Sequence, residues 1–130
     1  MTESVQNDLL TACHTGLSMA APSISNGWVK ELSLWLVHDL EQFATSSSPV
    51  TAKAVATRAQ TLRMAAWGVT RWHQPELLAS DPRSVMAAEC VFQLAWAAQQ
   101  LAAPEVNAAN LPEVTAVING ANHRLTSSPL

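Results

Sequence analysis

Residues 81–103 read DPRSVMAAECVFQLAWAAQQLAA, and this stretch decides the fold. Asp81 offers a side-chain cap for the first turn of a helix, and Pro82 presets that turn's backbone. An Ala- and Leu-rich run then carries the helix to Ala103, and Pro104 stops it. At 100° per residue, its apolar side chains cover about 240° of the wheel. Cys90, Leu94 and Leu101 lie on one flank. Ala87, Val91, Ala95 and Ala98 lie in the middle, and Val85, Phe92 and Trp96 lie on the other flank. Glu89, Gln93 and Gln100 form the polar strip. A helix apolar most of the way round is enclosed by neighbours. Either it is the central helix of a monomer, or it also serves a homodimer through a self-association flank at Cys90, Leu94 and Leu101. Symmetric dimers are the commonest soluble oligomers, which keeps the second reading in play.

The same punctuation organises the rest of the chain. Prolines stand at 22, 49, 75, 82, 104, 112 and 129. β-Branched residues form no period-2 runs, so the segments between prolines read as helices. The spacing predicts helices over residues 3–20, 26–44, 49–73 and 82–103, with a short C-terminal helix over 111–122 and a frayed tail beyond. Ser48 and Pro49 repeat the cap-then-proline signal for the third helix. Residues 74–82 read as a connector with one short turn at 76–79. The second helix carries an apolar stripe of Trp28, Leu32, Trp35, Leu36, Leu40 and Phe43. The third carries Val55, Leu62, Ala66 and Val69 toward the core. The expected fold is one all-α domain, a compact bundle of four main helices plus the short last one.

Composition agrees with a packed core. Of 130 residues, 48% are apolar and 13% charged, about half the usual charged share. No apolar run reaches the roughly 18 to 20 residues that cross a bilayer, so no membrane role is expected. The net charge of -3 argues against general affinity for nucleic acid. Charge is unevenly spread, however. Between Glu41 and Glu76 there is no acid, while Lys53, Arg58, Arg63 and Arg71 all fall there. Cys13 and Cys90 each sit in an apolar helical context and read as buried thiols. The first residues, MTESVQNDLL, lack the basic start of a secretory signal, so the cytoplasm is the expected compartment.

Three groups of residues stand out. Asp39 falls inside the apolar stripe of the second helix, where a lone carboxylate is costly. Arg58, at the edge of the third helix's core face, is its expected ion-pair partner. The outer face of the third helix carries Lys53, Met64, Trp67 and Arg71, large apolar groups among basic ones. Trp, Met and Arg are enriched at protein interfaces, so these four are the expected partner-binding residues. The alternatives are that Trp67 is covered by another helix or by the 74–82 connector, and that the basic residues simply answer Glu31, Glu41 and Glu89 on neighbouring helices. Trp28, Trp35 and Trp96 project inward on the wheels.

Catalytic signatures are missing. There is no Cys-x-x-Cys, no G-x-G-x-x-G and no phosphate loop. The four histidines lie on different segments, and His38 with Glu41 is too little for a metal site. No catalytic residue, metal or cofactor is expected. By elimination the chain reads as a small non-enzymatic protein–protein interaction module. Adaptors, chaperones, immunity proteins and phage or bacterial inhibitors share this profile. Two alternatives remain. One is a small-molecule sensor whose tryptophans line an apolar pocket. The other is a nucleic-acid accessory factor that uses the basic third helix for phosphate contact and stacking.

Overall fold

Helices begin where the sequence supplies a cap. In the computed structural model, which describes residues 3–72, 81–103 and 110–127, α1 spans Glu3–Ala20 and passes through a short 3₁₀ turn at Ala21–Ser23. Next come α2 (Gly27–Thr45), α3 (Pro49–Trp72), α4 (Pro82–Ala102) and α5 (Leu111–Ser127). Asn26 Oδ1 accepts from the Val29 N–H at 3.0 Å. Ser48 Oγ accepts from the Thr51 N–H at 3.2 Å, and Thr51 Oγ1 accepts in return from the Ser48 N–H at 2.9 Å. Caps of this kind are worth about 1 kcal/mol each. Asp81 caps α4, accepting from the Ser84 N–H at 3.1 Å. The expected connector turn at 76–79 lies outside the described residues.

The chain is an all-α bundle. The first four helices close a ring, α1 on α2, α2 on α3, α3 on α4 and α4 back on α1. α5 lies outside the ring, in the groove between α1 and α4. α4 is therefore covered by α3, α1 and α5 together, which accounts for its wide apolar arc. Cys90, Leu94 and Leu101 are fully buried within one chain. They therefore offer no surface to a second copy, and the self-association flank expected there is corrected. The cover is close because α1 crosses at Gly16. A Cβ there would come within 2.2 Å of Asn122 Oδ1 and 2.7 Å of Leu94 Cδ1, so any larger residue would have to displace those two side-chain ends. Gln6 Nε2 donates to the Leu101 carbonyl at 2.7 Å, and Asn122 Nδ2 to the Ala12 carbonyl at 3.1 Å.

Two other expectations change. α5 continues to Ser127 instead of fraying after residue 122. Its last turns are held by an ion pair between Arg124 Nη2 and Glu89 Oε1 at 3.2 Å and by Leu125 against the core. On α2, the buried face is Val29, Leu32, Ser33, Leu36, Leu40 and Phe43. Trp28 and Trp35 lie outside it, 52% and 41% exposed. The apolar arc of α2 is broad, and its neighbours select the half that faces inward. Ser33 enters the core because its hydroxyl donates to the Val29 carbonyl at 2.7 Å, which satisfies a group that would otherwise be costly to bury.

Candidate functional site

α3 is the helix on which the unusual chemistry sits, and it sends one arginine to each neighbour. Toward α2, Arg58 Nε donates to Asp39 Oδ2 at 3.2 Å. The Asp39 side chain is mostly covered and that of Arg58 about a third exposed. The guanidinium lies over the Trp35 ring, 4.4 Å from its centroid. Trp28 meets Trp35 edge-on at 6.2 Å, one of the preferred aromatic arrangements. Carboxylate, guanidinium and two indoles thus form one strap across the α2/α3 seam.

Toward α4, Arg63 lies 5.5 Å above the Phe92 ring. Its Nη1 donates to Gln99 Oε1 at 2.8 Å and, more weakly, to Gln60 Oε1 at 3.5 Å. Gln99 Nε2 also donates to Gln60 Oε1 at 3.2 Å. The Arg63 Nε is buried without an acceptor. Among the described residues no carboxylate lies within ion-pair distance of Arg63, in contrast to Arg58 and Arg124. Glu41 and Glu89, candidates for answering the basic charge of α3, face His14 and Arg124 instead.

Arg63 borders a cleft of about 370 Å³ with Gln60, Met64, Trp67, Gly68 and Phe92. Met64 is 66% exposed and Trp67 44% exposed, so the apolar walls stand open to water. Phe92 is shared with a smaller depression of about 160 Å³, lined by Gln93, Trp96, Glu113 and Val117. An apolar floor therefore runs from α3 across α4 to α5.

Of the four residues expected to bind a partner, Met64 and Trp67 share this cleft. Lys53 stands apart, in a separate open depression of about 400 Å³ with Val50, Thr57 and Arg58. The side chain of Arg71 lies outside the described set. Phe92 and Arg63 were not singled out by the sequence. The available signal was that Arg63 precedes Met64 directly and stands one turn before Trp67. Trp28 and Trp35 project outward instead of inward as expected. Trp96 packs partly against the core.

Other reactive groups are quiet. Burial pushes the Cys13 thiol up to about 12, and burial also raises Cys90. Neither is a ready thiolate near neutral pH. Among the described residues no three His, Cys, Asp or Glu side chains gather as metal ligands. Nor is any described helix long and apolar enough to cross a membrane. No family model matches the chain, and no match is found among curated proteins or solved structures.

Proposed function

We propose that this chain is a small, non-enzymatic interaction module that docks a partner protein in the α3/α4 cleft, as adaptors, chaperones, immunity proteins and inhibitors do. The observation that carries the reading is the open apolar cleft of Met64, Trp67 and Phe92 beside Arg63. Large apolar side chains left in water lose the stabilisation that burial brings, roughly 1.5–3 kcal/mol each. A partner that covers them recovers it. Trp and Arg are the residue types that dominate binding energy at such centres. The buried free thiols suit a reducing cytoplasm.

The test is Trp67→Ala in the full chain. The melting temperature is expected to stay within a few degrees, while affinity for the co-purifying partner falls by about a hundredfold, the loss of a strong hot spot. A large drop in melting temperature would make Trp67 a core residue and overturn the reading. Sedimentation of the same two proteins tests the homodimer. A two-chain mass abolished by Trp67→Ala makes the partner a second copy.

A further inference from the structure

We propose that the occupant of the α3/α4 cleft is an acidic amphipathic helix of the partner. This rests on the docking reading above and adds the chemistry of what docks. The first argument is charge. α3 contains no acidic residue along its whole length. Arg58 is neutralised by Asp39, but among the described residues the polar partners of Arg63 are the neutral amides of Gln60 and Gln99. A half-buried guanidinium with a desolvated, unbonded Nε is an incomplete arrangement, since buried charges are normally paired. A carboxylate delivered by the partner does not reach the covered Nε, but it meets the guanidinium where Arg63 borders the open cleft and supplies the missing counter-charge through a charge-assisted bond.

The second argument concerns backbone. A peptide pressed on an apolar floor must satisfy its own N–H and C=O groups. An extended peptide does so by adding to a sheet edge, and the described residues include no strand. A helix satisfies its backbone internally. It needs only apolar side chains at i, i+4 and i+7 for the floor running from Trp67 over Phe92 toward Trp96. The floor also has a polarity. Arg63 lines the cleft on the α3 side and Glu113 the depression on the α5 side. The acidic end of the docked helix therefore lies toward Arg63, and acids are disfavoured at the Glu113 end.

A phage-displayed library of helical peptides of roughly 15 residues, about four turns, tests this on the purified chain. Selected peptides are screened against Trp67→Ala, Arg63→Gln and Arg63→Lys, each first checked for native circular dichroism. The expected peptides carry an apolar i, i+4, i+7 stripe with an acid at one end. They lose about tenfold or more with Trp67→Ala, several-fold with Arg63→Gln and little with Arg63→Lys. Added salt weakens them. Peptides lost with Trp67→Ala but without acidic enrichment and indifferent to Arg63→Gln overturn this inference while leaving the docking reading standing. A selection that yields no Trp67-dependent peptide overturns both. Binding of a labelled single-stranded oligothymidine that Trp67→Ala abolishes assigns the cleft to nucleic acid and also overturns the inference.

Discussion

Arg58 and Arg63 leave the same helix about 140° apart, and each lays its guanidinium against an aromatic ring of a neighbouring helix. Arg58 sits 4.4 Å from the Trp35 centroid and donates to Asp39. Arg63 sits 5.5 Å from the Phe92 centroid and donates to glutamine. Among the described residues, one arginine finds a counter-charge and the other does not. The difference teaches that exposed tryptophan alone does not mark a binding surface. Trp28 and Trp35 are as exposed as Trp67, yet they belong to a seam whose polar groups are already paired. Trp67 stands beside a cation that meets no carboxylate among the described residues.

The comparison presumes the ring of helices, so its strongest test is the flank buried against α1. Leu94→Ala is expected to cost about 3 kcal/mol in chemical denaturation, because a fully buried side chain leaves a cavity the core cannot close. The loss should not vary with protein concentration. A concentration-dependent loss would return Leu94 to a dimer surface.

Next come the two arginines themselves. Arg58→Met leaves the largely buried Asp39 carboxylate without its partner and is expected to cost about 1–2 kcal/mol. Arg63→Met abandons two glutamines that already bond to each other and a Phe92 face that the methionine sulfur can still cover, so stability is expected to change by less than about 0.5 kcal/mol. Equal losses in urea denaturation would erase the distinction.

The tryptophans give a smaller contrast. Trp35→Ala removes the cover of Arg58 and is expected to cost about 1 kcal/mol more than Trp67→Ala, the scale of a partly desolvated cation–π contact. Parallel thermal melts measure the difference.

The smallest effect belongs to the α4 cap. The Ser25 hydroxyl donates to the Asp81 carboxylate, and this bond, with the backbone N–H of Ser84, holds Asp81 below the ordinary value of 3.8. A lowered aspartate stabilises the fold above its unfolded value and loses that stabilisation as pH falls through its folded value. Ser25→Ala is therefore expected to move Asp81 upward in a carboxyl-resolved NMR titration, with acid unfolding starting at slightly higher pH. An unchanged Asp81 titration would show that the hydroxyl contributes nothing.

Much of the fold was legible because caps and prolines act locally. Ser48 and Asp81 each stand one residue before the helix they start. The breadth of the α4 apolar arc correctly called for neighbours on several sides. The reading failed where rotation about a helix axis decides the outcome. Trp28 and Trp35 carry the same hydrophobicity whether they face the centre or the α3 seam. Cys90, Leu94 and Leu101 look identical under a covering helix or in a dimer. The site was legible in half: Met64 and Trp67 stand out on the outer face of α3, but Phe92 is supplied by α4, and no spacing within one helix reports the register between two.

The sequence by itself determined where each helix starts, where the first four stop, how wide each apolar arc is, and that α3 carries basic residues and no acid. These depend on bonds between a residue and those three or four places away. Tertiary structure alone decided which arc faces inward and which arginine meets a carboxylate. Both turn on how closely helices approach and at what rotation. That is set by contacts such as Gly16 against Leu94 and Asn122, between residues far apart in the chain.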